Sequence, residues 1–361
     1  MLESLWKKIV RRKPYSWWAV PALFLRVASV IYRCLFLIRK FTVGKPVKLP
    51  IPVISVGNVT VGGSGKTPIV EMIARDLQAE GVRVGIVSSG YRRQSRESLL
   101  EPGYRVQKLN AAQTGDEVQI LAWQLPEAVF SVDRSKTAAA LRLAESGQVD
   151  VLVVDDGFQH FSLARDLEVV TYDAALRREW LRLFPHGFFR EPMTALGRAD
   201  AIIITRSKFA RDINRLRARL ARFSPGAEIY HAGFTLDELI SRDKRLPAKY
   251  LEDKSVFLFA GVGNFRPLQK QVAALAGDLD HALELSDHQE YDRPLLERIR
   301  SLAAKFDSDV IVTTYKDWVK LGDFDFESEL YYLGLSIDLD PGEEKLVRWI
   351  MQMLRLNRQR T

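Results

Sequence analysis

Three glycines, a lysine and two hydroxyls make up the six residues Gly62-Gly63-Ser64-Gly65-Lys66-Thr67, a set suited to holding phosphate oxygens. Glycines let backbone N–H groups turn into one small concavity, and a helix N-terminus behind them adds its positive dipole end. Lys66 can then reach the β- and γ-phosphates of a nucleoside triphosphate, and the Thr67 hydroxyl can bind Mg2+. Thr60 and Val61 lead into the run, and Thr60 stands where the common pattern of such loops opens with glycine. The competing reading is a glycine-rich turn before an ordinary helix. Against it, the apolar run 51–56 precedes the loop, and Ile69, Met72, Ile73 and Leu77 follow on one helical face.

Other clusters carry carboxylates. Residues 151–154 are an apolar run ending in Asp155-Asp156, where enzymes with such a loop place an acid beside Mg2+. Aspartate after a strand is also ordinary turn chemistry, so this pair gains its meaning from Lys66 and Thr67 upstream. Asp116 opens an apolar-periodic helix in Thr114-Gly115-Asp116-Glu117, a position that the helix dipole alone favours for an acid. His288 follows a later strand in Asp287-His288-Gln289-Glu290-Tyr291, where a surface loop histidine is the plain alternative. An aspartate oriented by a histidine can take the proton a hydroxyl loses on phosphorylation. Arg190 and Glu191 follow a loop containing Gly and Pro. The arginine can neutralise charge on a transferring phosphoryl group and the glutamate can reach a metal, although a solvated salt bridge is an equal reading.

Alternating strands and helices must position these groups. Beyond the glycine loop, β-rich runs occur at 82–88, 129–132, 151–154, 168–172, 201–205 and 228–231. A Pro-, Lys- and Asp-rich passage at 236–253 reads as a linker. A second series follows at 256–260, 282–285, 310–314 and 330–334, with a last helix near 342–356. At 361 residues the chain is long for one core. The expected fold class is α/β, with a parallel-sheet nucleotide lobe over 41–235, the linker 236–253 and a smaller α/β lobe over 254–361. Two such lobes imply a cleft.

The net charge of +8 is concentrated at one end. Residues 1–48 hold eleven Lys and Arg against the single acid Glu3, so this segment is +10 and the remainder −2. Within 14–38 the sequence is apolar and aromatic, but Arg26 and Arg33 interrupt it after the uncharged run 14–25. Arg26, Ser29, Arg33 and Lys40 fall on one helical stripe and the rest of the circumference is apolar. Residues 1–40 therefore read as a helix lying in a membrane interface against anionic lipid. A secretory signal, a spanning helix with snorkelling arginines and a helix packed on the protein's own core are the alternatives. The single cysteine, Cys34, excludes an internal disulfide, and no Cys/His cluster has zinc-ligand spacing. The basic residues sit beside an apolar face and not along a groove, so nucleic acid is not an expected partner.

Taken together, the chain resembles the tetraacyldisaccharide 4′-kinase family of Gram-negative bacteria. The resemblance rests on residues 55–68, in which that family also has threonine at the position of Thr60. It is carried further by Gly115-Asp116-Glu117, Asp155-Asp156-Gly157-Phe158-Gln159-His160, Arg165-Asp166-Leu167-Glu168, Arg190-Glu191-Pro192 and Val312-Thr313-Thr314-Tyr315-Lys316-Asp317. It implies a P-loop NTPase-type lobe that uses ATP and Mg2+ to phosphorylate the 4′-hydroxyl of an acylated glucosamine disaccharide 1-phosphate, giving lipid IVA. The implied setting is the cytoplasmic face of the bacterial inner membrane, with an anionic membrane surface as contact and no obligate protein partner. By the same resemblance, Thr60, Val61, Gly62, Gly63, Ser64, Gly65, Lys66 and Thr67 hold the phosphates. Thr67, Asp155, Asp156 and Glu191 stand on the metal side. Asp116 is the base with His288 its partner, and Lys66 and Arg190 act on the phosphoryl group.

Three places depart from the family pattern. Ser88-Ser89-Gly90-Tyr91-Arg92-Arg93 replaces a usual Ser-Arg-Gly-Tyr-Gly, Gln289 replaces a second histidine, and Phe188-Phe189 replaces Pro-Leu. Two other function classes remain at this point. A membrane-bound regulatory NTPase lacks support from any Asn-Lys-x-Asp guanine-reading sequence. A lipid-binding protein with a vestigial loop is opposed by the intact Lys66, Thr67, Asp155 and Asp156.

Overall fold

A computed structural model describes residues 6, 9–10, 19–91, 93–176, 180–262, 265–286 and 289–356. Among them, thirteen strands join in one sheet. In chain order these are β1 (Val53–Asn58), β2 (Val84–Ser88), β3 (Leu99–Pro102), β4 (Val129–Val132), β5 (Val151–Asp155), β6 (Leu167–Asp173), β7 (Ala201–Thr205), β8 (Glu228–Ile240), β9 (Arg245–Pro247), β10 (Ser255–Ala260), β11 (Asp278–Glu284), β12 (Val310–Thr313) and β13 (Glu329–Asp340). Their order across the sheet is β11-β10-β12-β13-β8-β7-β6-β1-β5-β2-β4-β3, with β9 paired to β8.

Strands β1, β2, β5, β6 and β7 are buried along their whole length, as continuous Val/Ile runs require when helices cover both faces. The helices that matter for the site are α1 (Ala19–Thr42), α2 (Lys66–Ala79), α3 (Asp116–Gln124), α4 (Lys136–Ser146) and, at the C-terminus, α5 (Glu343–Leu354). On α2, Ile69, Val70, Met72, Ile73, Ala74 and Leu77 are buried, the 3.6-residue pattern seen in the sequence. Leu346, Val347, Ile350 and Met351 of α5 enter the same core. The last helix thus packs on the nucleotide half, where Arg75 also pairs with Glu343 at 3.2 Å.

The pairing directions are mostly parallel, with three antiparallel exceptions: β3 with β4, β8 with β9, and β8 with β13. The β8–β13 ladder runs from Tyr332↔Ile240 to Asp340↔His231 and makes the two halves one sheet. The passage 236–253, expected as a linker, instead contains the end of β8, β9 and the turn Ala248–Leu251. Its Ser241–Lys244 segment is a hairpin turn, closed by Ser241 N–H donating to the Lys244 carbonyl at 2.9 Å. Two further cores, around Leu258 and around Phe257, cover the two faces of the second half.

Helix α1 is long and apolar enough, from Pro21 to Thr42, to cross a membrane. Most of its apolar surface faces outward: Phe24 is 72% and Phe41 83% exposed. A narrow seam including Ala22, Ser29, Tyr32 and Phe36 faces the protein. Ser29, expected on a polar stripe with Arg26 and Arg33, is buried there and donates to the Leu183 carbonyl at 3.0 Å.

Candidate active site

The glycine loop joins the C-terminal end of β1 to the first turn of α2, at the strand ends where open α/β sheets bind ligands. Gly65 takes the left-handed conformation (φ 77°) that starts α2, and a Cβ there would stand 2.8 Å from the Phe234 ring. Gly62 and Gly63 have open space where a Cβ would be, so the loop presents bare backbone. The frame behind it is buried and polar. Ser64 Oγ meets Asn58 Nδ2 at 2.6 Å and Thr171 Oγ1 at 2.8 Å, and Thr205 Oγ1 donates to the Ser64 carbonyl at 2.9 Å. Arg206 donates to the Gly63 carbonyl at 2.6 Å.

Thr60 has a structural reason of its own. It is buried and pairs antiparallel with Phe189, while Val61 N–H donates to the Phe188 carbonyl at 2.7 Å and Arg190 N–H to the Val59 carbonyl at 2.8 Å. This is an extended two-strand contact, in which a β-branched residue suits the backbone better than glycine. The loop 183–190 therefore clips the entry to the phosphate cradle. It also seats α1, through Tyr32 donating to the Arg190 carbonyl at 3.1 Å, and holds Trp6, ahead of that helix, which donates to the Pro185 carbonyl at 2.6 Å.

Three charged groups converge at the cradle. Lys66 Nζ lies 3.4 Å from Asp156, and Arg190 donates to both Asp156 oxygens at 3.1 and 2.9 Å. Burial alone would raise the Asp156 carboxyl, but Lys66, Arg190 and Lys136 outweigh it and hold it well below the usual carboxylate range. Asp156 adopts a left-handed conformation (φ 50°), rare outside glycine. That turn aims the Asp155 and Asp156 carbonyls at Lys136, whose buried ammonium donates to them at 2.6 and 2.7 Å. Asp155 is raised, first by burial, and its Oδ1 has no hydrogen-bond partner among the described residues. Glu117 is reached by solvent yet ringed by protein. Desolvation, with the charge of Asp155 beside it, raises Glu117 to about 7.

Glu191 lies beside this cluster, next to Arg190 in the chain. It is buried, and Arg198 holds both of its oxygens at 2.9 Å, with Gln159 Nε2 adding a third contact at 3.0 Å. Both oxygens of this carboxylate, expected on the metal side, accept from side chains, just as both Asp156 oxygens accept from Arg190.

Asp116, at the start of α3, pairs with Lys320 of the second half at 2.9 Å. His288 and its neighbour Asp287 lie outside the described residues, as does Arg92. Of the altered loop at 88–93, Gly90 packs against Gly115, where an added Cβ on Gly115 would come 3.0 Å from Gly90.

The tetraacyldisaccharide-1-P 4′-kinase (LpxK) family model matches residues 21–355. The chain belongs to this family. A tetraacyldisaccharide 4′-kinase of Halothermothrix orenii is 31% identical over 94% of this chain and 94% of its own length. One from Aeromonas hydrophila is 33% identical over 94% and 92%. Among solved structures, the "apo" form of LpxK from Aquifex aeolicus in complex with ATP aligns with TM-score 0.75 at 28% identity, covering 92% of this chain and 99% of that one. The LpxK family catalyses 4′-phosphorylation in lipid A biosynthesis, so the chain is a kinase, and the mixed, mostly parallel sheet is that of the family.

Within this family site, sequence reading missed Lys136 and Lys320. Lys136 follows the cap Ser135, which accepts from Ala138 N–H, and nothing local marks a lysine at a helix start as buried. Lys320 lies far from Asp116 in sequence. Glu117 was legible only as part of a motif.

Proposed function

We propose that this chain transfers the γ-phosphoryl group of ATP to the 4′-hydroxyl of a tetraacylated glucosamine disaccharide 1-phosphate, giving lipid IVA. The observation that carries the reading is the convergence of Lys66 and Arg190 on Asp156 at the mouth of a bare-backbone phosphate cradle. A cradle of this kind leaves little covalent chemistry to the protein beyond positioning and charge neutralisation. Residues 60–67 hold the phosphates, and Lys66 and Arg190 neutralise charge on the group in transit. Asp116, assisted by His288, takes the proton from the 4′-hydroxyl as its oxygen bonds to the γ-phosphorus and ADP leaves.

The donors Thr67, Asp155, Asp156 and Glu191, with Glu117 close to the two aspartates, suit Mg2+, a hard cation that takes oxygen ligands and keeps several positions for water and phosphate. When bound, Mg2+ would offset charge on the β- and γ-oxygens.

The exposed apolar face of α1 and the +10 charge of residues 1–48 support attachment to an anionic membrane surface, at the cytoplasmic face of the inner membrane where ATP is available. We further read the chain as a nucleotide lobe and a smaller C-terminal lobe that closes over it. The test is the full chain with Mg2+, labelled ATP and the disaccharide 1-phosphate in detergent-lipid micelles. The expected result is a singly phosphorylated lipid that is lost in Lys66→Ala. Absence of product from the unaltered chain would overturn the reading.

A further inference from the structure

The motif Val312-Thr313-Thr314-Tyr315-Lys316-Asp317 has no part in the reaction described above, yet it is built with care. Thr314 Oγ1 donates to Asp317 Oδ2 at 2.6 Å, and the same oxygen accepts from Gly261 N–H at 3.0 Å. Asp317 is wholly buried, so this turn is rigid. The Tyr315 hydroxyl donates to the Ile120 carbonyl on α3 at 3.0 Å, and Trp318 packs edge-on to Trp123 at 5.2 Å. The turn is therefore fixed to the middle and end of the helix that Asp116 begins.

Lys320 follows directly, its N–H donating to the Asp317 carbonyl at 2.9 Å. Its side chain is only 10% exposed, and its ammonium lies 2.9 Å from Asp116 Oδ2, which is 20% exposed. The same ammonium lies 3.4 Å from the Gln289 carbonyl, one residue beyond His288. A lysine this far withdrawn from water loses much of its hydration, and a close carboxylate and carbonyl offset that loss. Tyr315 and Trp318 already hold α3 in place. What Lys320 adds is a charged contact at the reacting end of the helix.

We propose that Lys320 is a positioning residue for Asp116, fixing its carboxylate toward the acceptor hydroxyl and tying it to the backbone at Gln289. This rests on the reading of Asp116 as the base. A carboxylate at the first residue of a helix can otherwise swing among rotamers, and misplacement by about 1 Å can cost as much as 100-fold in rate.

The experiment measures kcat and the KM for ATP on the full chain with the disaccharide acceptor, for Lys320→Met, Lys320→Gln, Lys320→Arg, Asp116→Asn and the double variant Asp116→Asn/Lys320→Met. Lys320→Met and Lys320→Gln are expected to lower kcat about 10-fold or more, with the KM for ATP within about 2-fold. Lys320→Arg should recover most of the rate, and Lys320→Met should cost little further in the Asp116→Asn background. Lys320→Gln and Lys320→Arg keep the test in force should the methionine variant fail to fold. Wild-type kcat in the Met and Gln variants, alongside an inactive Asp116→Asn, overturns the proposal and leaves the base reading standing. Rate losses that arginine does not rescue, or that add fully to Asp116→Asn, also overturn it, since a plain structural link would behave so. Undiminished turnover in Asp116→Asn overturns the base reading, and the proposal with it.

Discussion

The hydroxyl of Tyr32, on the exposed apolar helix α1, donates to the backbone carbonyl of Arg190 at 3.1 Å, and the Arg190 guanidinium in turn holds Asp156. A hydrogen bond of this kind contributes about 1 kcal/mol. Its loss frees the backbone that aims Arg190 at the phosphates. Tyr32→Phe should therefore lower kcat/KM for ATP about 2- to 10-fold while the apolar face of α1 is untouched. Tyr32→Ala, which also removes the ring packed against Phe184 at 5.5 Å, should lose more. Steady-state kinetics on both variants, with vesicle binding as control, check this. Unchanged kinetics in Tyr32→Phe would separate α1 from the site.

Two loop glycines should respond differently to alanine. At Gly65 the positive φ and the Phe234 ring at 2.8 Å both oppose a Cβ. Gly65→Ala is expected to cost about 1–3 kcal/mol of stability and to weaken ATP binding. At Gly63 nothing lies within 4 Å and the backbone is not left-handed. Gly63→Ala should leave the melting temperature nearly unchanged, while the added methyl enters the space phosphates use. Thermal melts and ATP titrations of the two variants, run together, distinguish them. A loss of stability in Gly63→Ala would refute the open-cradle geometry.

These residues also show what a sequence can reveal. Gly62 to Thr67, with their strand and helix, are legible because every interaction that defines the loop's shape is local or follows a periodic pattern. Asp155 and Asp156 are legible for the same reason. The β8–β13 pairing was not, because alternation marks a strand without giving its partner or direction. The Ser241–Lys244 turn carries the polar residues of a linker, and only its ladder partners make it a hairpin. Glu191 illustrates a subtler limit. An acid beside Arg190 suits a metal on sequence grounds, but its pairing with Arg198 is a contact that only the fold reveals.

Lys136 should behave as a keystone of the Asp155-Asp156 turn. Its ammonium satisfies two carbonyls at 2.6 and 2.7 Å, and burial lowers its pKa against the opposing pull of Asp156 and Asp155. Lys136→Met would leave two buried acceptors without a donor and remove a cation beside Asp155 and Asp156. The expected cost is about 3 kcal/mol. Chemical denaturation in urea, with circular dichroism at the midpoint, reads this directly. A stability within error of the unaltered chain would show that water replaces the ammonium.

The carboxyl of Glu117, raised to about 7 by desolvation and then by Asp155, links the site to pH. In the unfolded chain a glutamate titrates near ~4.3. Between those two values the folded state binds the extra proton, so stability falls as pH rises across the window and the loss is complete above about 7. Glu117→Gln cannot lose that proton. The nucleotide-free variant should melt at the same temperature as the unaltered chain at or below pH ~4 and increasingly above it as pH rises to ~8. Glu168 and Glu71, also raised to about 7 by burial, slope in the same direction in both proteins and cancel in the difference. Solvent reaches Glu117, so screening reduces the size of the gap without reversing its sign. Melting temperatures measured across this range provide the check. A gap that is constant with pH, or larger on the acid side, would mean that Glu117 stays ionised in the folded protein at acid pH and that Lys66 and Lys136 outweigh its burial.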